Sequence, residues 1–440
     1  MATSQLAPNR HSNSLARLEE GRDRTDALFA LLPPESFYER PIPERHRLIF
    51  YLGHLEAFDR NLLNPALGIE TKDAEFDKLF AFGIDPVGGG LPTDLPSDWP
   101  SIDRVQNYRR DVRRSLDDSL RNSGQSRVGE VLLNVAIEHR LMHAETLAYL
   151  FHNLPAEKKL QYPVAAETRP AARPRQAAIP AGVAMLGLSR ESREFGWDNE
   201  FDETQIDVPR FSIDVFPVTN DEYLKFVRAG GYETSSYWRP EDWEWKCQQR
   251  LEHPHFWVPR VQAVAQDPQW EYRAMFRTIP LPLSWPVYVS YAEASAFARW
   301  CGKRLPTEAQ WHRAAYGTPH GVDRMYPWGD AEADEIRGNF HHRRWHATPV
   351  DAHPAGASAF GVHDLLGNGW EWTSTAFGPF PGFEPFPFYR GYSADFFDGK
   401  HFVLKGGSQR TDACMLRRSF RNWFQPHYQY LYATFRCVEE

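Results

Sequence analysis

The stretch "EHRLMHAETLAYLFHNLP" (Glu138–Pro155) decides the reading of the first third of the chain. A step of four residues on an α-helix turns 400°, so His139 and His143 differ by about 40° in heading and stand one turn apart. Val135, Ala136, Met142 and Leu147 around them have interior character. An imidazole buried among such residues needs a partner. His152, nine residues beyond His143, turns about 180° and faces elsewhere.

Three further helical patterns precede this one. Leu15, Leu18, Arg22, Thr25, Leu28 and Leu32 follow a three-four spacing. Leu48, Tyr51, Leu52, Leu55, Phe58 and Leu62 follow Pro43, a residue suited to a first helical turn. Ile102, Val105, Tyr108, Val112, Leu116 and Leu120 share one face behind Ser101, a plausible N-cap. The last helix is expected from about Arg127 to His152. Four amphipathic helices of this length predict a bundle over residues 1–152. Between Leu63 and Pro100 the chain turns to Gly and Pro, as in "GIDPVGGGLPTDLPSDWPS" (83–101), which marks a long crossover or active-site loop.

From 153 to 180 the periodicity stops and prolines recur, which is linker composition. Residues 181–440 change texture to short alternating strands, Gly-bounded turns and many tryptophans. Two good helices stand out there, one from Thr219 and one in "SYAEASAFARWCGKRLPTEAQWHRAAYG", interrupted at Pro306. An irregular α+β domain follows, so the 440 residues predict two domains. The chain carries 15 Trp, 18 Tyr, 29 Phe and 34 Pro, and many of those rings should line something. A formal charge of −8 gives no basic footprint for nucleic acid or an anionic membrane. No run of about 18 apolar residues and no secretory layout is present, so a cytoplasmic protein is expected. Cys247, Cys301, Cys414 and Cys437 form no CxxC pair and read as buried free thiols in a reducing compartment.

Two imidazoles rarely hold a metal alone. "FYLGHLEAFDRNLL" supplies His54 on the side of Tyr51 and Phe58, with Asp59 and Arg60 expected near the rim. Three neutral imidazoles would cover one face of a divalent ion and leave the other open. Glu145 is the alternative third ligand, but it heads about 200° from His143 and fits better as an orienting group. Iron and zinc suit this spacing equally.

The pattern His139, His143, Glu145, with His54 on an earlier helix, resembles the DinB-like metal-binding bundles. "FPVTNDEYLKFVRAGGY" (216–232), "GKRLPTEAQWHRAAYG" (302–317), "GVHDLLGNGWEWTSTAF" (361–377), "VLKGGSQRT" (403–411) and "ATFRCV" (433–438) resemble the formylglycine-generating-enzyme (sulfatase-modifying factor) fold, a variant of the C-type lectin fold. In this order the two resemble the ergothioneine-type sulfoxide synthases. That resemblance implies Fe(II) on His54, His139 and His143, with O2, trimethylhistidine (hercynine) and a thiol as small-molecule substrates. No flavin or nicotinamide is implied, and no dinucleotide-binding GxGxxG follows a strand. Asn422 and Trp423 match positions that line the acceptor pocket in that family, where an aromatic face suits a quaternary ammonium at about 0.5–2 kcal/mol per contact.

The departures are informative. Formylglycine-generating enzymes use cysteines three and eight residues after the GGS serine; after Ser408 those positions are Thr411 and Leu416. That thiol chemistry is therefore absent, and the second half is expected to serve as a binding lid. Members using γ-glutamylcysteine show two arginines in the loop after the second helix and an Asp two positions after the pocket Asn. Here "PVGGGLPTDLPSDWPS" has no arginine and Phe424 follows Trp423, which favours free cysteine over γ-glutamylcysteine. Arg109, Arg110 or Arg113 would then bind its carboxylate. A tyrosine usually donates a proton in these enzymes; "FGPFPGF" (377–383) carries Phe380 where it is sought, leaving Tyr108 and Tyr428 as candidates. A close variant would use a selenium donor or unmethylated histidine. A metal-dependent thiol transferase and a non-catalytic binding protein are the readings of another class.

Overall fold

In the computed structural model, residues 14–81, 91–163, 166–167, 169–260 and 270–439 are described, without the side chains of 123 and 124. A helical unit ends at Pro163, and a second unit runs from there to the C-terminus. The boundary lies inside the stretch expected to be a linker.

The helical unit comprises α1 (Ser14–Phe29), α2 (Leu48–Leu67), α3 (Ala74–Leu79), α4 (Ile102–Ser119), α5 (Gln125–Val128) and α6 (Glu130–Asn153). α1 packs against α6, and α2 against both α4 and α6. Leu18, Leu48, Ile49, Leu52, Leu116, Val135 and Leu147 have no exposed surface and form the interior. Three boundaries differ from the sequence reading. Pro43 lies in a turn and α2 opens after extended Arg47, so the proline is not its first residue. The helix expected from Arg127 is broken at Gly129, whose φ of 82° opens α6. α3 arises where only loop was expected, with the Asp73 carboxylate capping the Phe76 amide at 3.0 Å. Part of the crossover loop, 82–90, falls outside the described residues.

α2 ends at Gly68 in the left-handed conformation, whose amide closes on Asn64. Pro65 sits within its last turn. α6 is buried almost all round, from Leu133 to His152. That explains why its sequence shows so little amphipathic patterning.

The second unit holds β1 (Gln176–Ile179), β2 (Gly182–Leu186), β3 (Thr204–Val208), β4 (Phe211–Asp214), α7 (Asn220–Arg228), α8 (Pro240–Gln249), β5 (Trp257–Pro259), β6 (Trp270–Arg273), β7 (Thr278–Pro280), α9 (Tyr291–Trp300), α10 (Glu308–Tyr316), β8 (Gly369–Ala376), β9 (Phe402–Gly407), β10 (Asn422–Phe424), β11 (Ala433–Thr434) and β12 (Val438–Glu439). Its sheets run β10-β9-β8-β11, β1-β4-β12, β5-β6-β7 and β2-β3. The C-terminal β12 pairs with β4 by Val438 opposite Ile213. β1 begins within the expected linker, and α8 is a helix the periodicity did not reveal. Capping boxes at Thr219/Glu222, Ser290/Glu293 and Thr307/Gln310 start α7, α9 and α10.

The quoted motifs meet in the core. Arg436 donates to both Glu371 oxygens at 2.6 Å, and Trp311 Nε1 donates to one of them at 2.8 Å. At Gly367 φ is 91° and a Cβ would lie 2.4 Å from the Asn339 carbonyl oxygen, so only glycine fits. The thiols correct one expectation. All four cysteines are free, but only Cys437 is buried; Cys247 and Cys301 are exposed and Cys414 is intermediate.

Candidate metal centre

α2 and α6 bring His54, His139 and His143 together. Their ligand atoms all lie within 4.8 Å of one another, and among the described residues no other His, Cys, Asp or Glu group does this. Ring centroids are 5.3 Å apart for His54–His139, 5.0 Å for His54–His143 and 4.5 Å for His139–His143. Their exposures are 2%, 4% and 1%.

His54 Nδ1 and the Phe80 carbonyl oxygen are 2.7 Å apart. The carbonyl can only accept, so Nδ1 carries the proton and Nε2 keeps its lone pair. Gly53 permits that approach, because a Cβ there would lie 2.6 Å from the Phe80 ring. Phe58 stacks on His139 at 3.4 Å and 10°, and Phe50 stacks on His54 at 4.9 Å and 19°. Burial pushes His54 down to about 4 despite the Phe80 carbonyl. Burial, then neighbouring histidines, holds His139 and His143 well below the ordinary imidazole range. All three are neutral at pH 7.

His54 Nε2, His139 Nδ1 and both nitrogens of His143 are buried without a hydrogen-bond partner. A buried polar atom left so costs about 1–3 kcal/mol. A divalent cation accepting one lone pair from each ring removes that cost at the coordinating nitrogens, so these residues fit a metal. With three imidazoles and no carboxylate in the group, the donor set suits a borderline first-row ion.

Other predicted residues fall elsewhere. Glu145 is buried but does not join the three imidazoles. Asp59 and Arg60 are not at a rim. Asp59 is fully buried against Arg140 at 2.6 Å, and Arg60 pairs with Asp77 at 3.3 Å. Arg109 binds Asp26, and Arg113 binds both Asp26 at 2.6 Å and Glu56 at 2.7 Å. Those carboxylates belong to the bundle itself, and a substrate carboxylate would have to displace them. Arg110 is exposed and donates to Asn107. The Tyr108 hydroxyl donates to Asp77 at 2.7 Å, and burial with that carboxylate raises its pKa far above the tyrosine range. The phenol thus keeps its proton, engaged in the hydrogen bond to Asp77. Sequence reasoning missed this ionic network, although Glu56 and Asp59 lie two and five residues beyond His54.

In the second unit, Asn422 and Trp423 sit half-buried on β10, opposite Leu404 and Val403. One face of Trp423 is stacked on Phe377 at 4.2 Å and 6°, with Tyr392 edge-on at 5.4 Å. Asn422 Oδ1 accepts from the Trp423 amide at 2.9 Å. Tyr428 stacks on Phe424 at 5.0 Å.

Fold and site together define a protein with a three-histidine centre in a helical bundle, followed by a mostly β unit. Residues 17–147 match the DinB superfamily and 163–440 the sulfatase-modifying factor enzyme 1-like domain family. The chain is 38% identical over 257 residues to the hercynine oxygenase of Mycobacterium tuberculosis, covering 58% of each protein. Against that of Mycolicibacterium smegmatis it is 35% identical over 362 residues, 79% of each. Ergothioneine biosynthesis protein 1 of Neurospora crassa is 28% identical over 502 aligned positions, 93% of this chain and 56% of that protein. The chain belongs to the hercynine oxygenase family. Its alignments span little more than half the length of the tuberculosis and Neurospora proteins. Among the described residues no helix is long and apolar enough to cross a membrane.

Proposed function

We propose that this chain is a non-haem iron, O2-dependent sulfoxide synthase of ergothioneine biosynthesis, joining hercynine to cysteine. The observation that carries the reading is the buried convergence of three neutral imidazoles in a member of the hercynine oxygenase family. A hercynine ring C–H bond and a thiol S–H bond break, a C–S and an S–O bond form, and the second oxygen atom leaves as water. The two substrates supply all four electrons, so no reducing cofactor enters.

His54, His139 and His143 would hold Fe(II), which when bound supplies one-electron chemistry toward O2. The Phe80 carbonyl orients His54, and the Phe50 and Phe58 rings cover two of the imidazoles and exclude water from them. Asn422 and Trp423 are assigned to hercynine, whose trimethylammonium donates no hydrogen bond and suits an aromatic face. Free cysteine is the preferred donor over γ-glutamylcysteine because the 86–101 loop contains no arginine.

The test is anaerobic purification with Fe(II), then oxygen uptake. Uptake should require hercynine and cysteine together, and a metal-dependent transferase would consume no oxygen. The His139→Ala variant should lose both iron retention and uptake; full turnover with a normal iron content would overturn the ligand assignment.

A further inference from the structure

One residue beyond His139, a turn of about 100° carries the side chain off the imidazole face of α6. That residue is Arg140, fully buried, and its guanidinium grips α2. Nη2 donates to the Leu55 carbonyl at 2.9 Å, to Glu56 Oε2 at 2.9 Å and to Asp59 Oδ2 at 2.6 Å; Nη1 donates to Glu56 Oε1 at 3.2 Å. The three acceptor residues lie one, two and five positions after His54. Glu56 Oε1 also accepts from Arg113 of α4, which in turn binds Asp26 of α1. The grip on α2 is thus anchored through the whole bundle.

A buried ion pair is weak evidence for stability, because well-packed apolar residues of the same volume often do as well. Its best attested use is register. Apolar packing between two helices tolerates small slides. A planar fork engaging a carbonyl and two carboxylates does not. Register is what this site needs, since one residue of slip moves a helix by about 1.5 Å, whereas metal–ligand distances hold to about 0.2 Å. His54 comes from α2 and the other two imidazoles from α6, so that one helix pair sets the cluster.

We propose that Arg140 is the positioning residue of the metal centre: by gripping Leu55, Glu56 and Asp59 it sets the register of α6 on α2, and so the separation of His54 from His139 and His143. The proposal rests on reading the three histidines as ligands and not on which reaction they serve.

The experiment titrates the full-length, metal-free protein with Co(II), following its visible absorption and measuring dissociation constants by competition. Arg140→Lys keeps the charge and loses the fork. It should bind Co(II) about 10–100-fold more weakly, with a changed ligand-field spectrum and an unchanged far-UV spectrum. A lowered Tm with wild-type affinity and spectrum would show a merely structural role and overturn the proposal. Asp59→Asn, isosteric and removing one of the gripped charges, should weaken binding in the same direction by a smaller factor. If Arg140→Lys loses its fold, Asp59→Asn decides: weaker Co(II) binding supports the proposal and unchanged binding overturns it. A wild-type protein that takes up no Co(II) would instead sink the metal reading itself.

Discussion

Acidification from pH 7 to pH 5.5 separates a buried three-histidine site from a surface one. An exposed imidazole titrates near 6.5, so at pH 5.5 about a tenth of each ring is neutral, and three neutral rings coincide in roughly one molecule in a thousand. In this protein burial holds His54 at about 4, with His139 and His143 also well below the ordinary value. His54 therefore remains neutral at pH 5.5, and burial opposes protonation of His139 and His143 in the same direction. The Co(II) dissociation constant should change by less than about threefold over this range, where a surface cluster would lose roughly a thousandfold. Competition titrations at the two pH values measure it, and a loss near three orders of magnitude would refute the argument from burial. The same depression acts on stability. A histidine held neutral by the fold contributes stability that is complete above its unfolded value of about 6.5 and is lost as the pH falls toward the folded value. For His54 alone that loss reaches about 3 kcal/mol near pH 4 in the metal-free protein.

Cys414→Ser should leave oxygen uptake within about twofold of wild type, because Thr411 and Leu416 occupy the two places, three and eight residues after Ser408, where the resemblance to formylglycine-generating enzymes would put reactive thiols. Loss of turnover with a normal Tm would show that this thiol takes part in the reaction. Gly367→Ala should lower stability by more than about 2 kcal/mol, since the new methyl would meet the Asn339 carbonyl at a left-handed position. Urea denaturation checks this, and an unchanged midpoint would contradict the contact.

The bundle and its three imidazoles were legible because both rest on short-range geometry. The i, i+4 pair on α6 and the Tyr51–His54–Phe58 face of α2 follow from helix rotation alone. The ionic network was not legible. Asp59, Arg60, Arg109 and Arg113 carry charges that sequence patterning assigns to a rim or a solvated face, and only tertiary pairing shows them buried. Helix ends were lost for a similar reason. Gly129 breaks a continuous apolar pattern by one left-handed residue, while α3 depends on an Asp73 cap too local for periodicity to register. In the second unit, Glu371 and Arg436 stand in motifs that signalled the fold, but their bond spans 65 residues of sequence and no local pattern encodes it.

The close approach of Phe80 to Gly53 has an evolutionary consequence. The carbonyl that selects the His54 tautomer reaches it only because position 53 lacks a side chain. Drift at either place is constrained by the other, so a descendant lineage that acquires a methyl at 53 has to shrink or displace the ring at 80. Such paired exchange would retune the basicity of one imidazole while all three histidines stay in place.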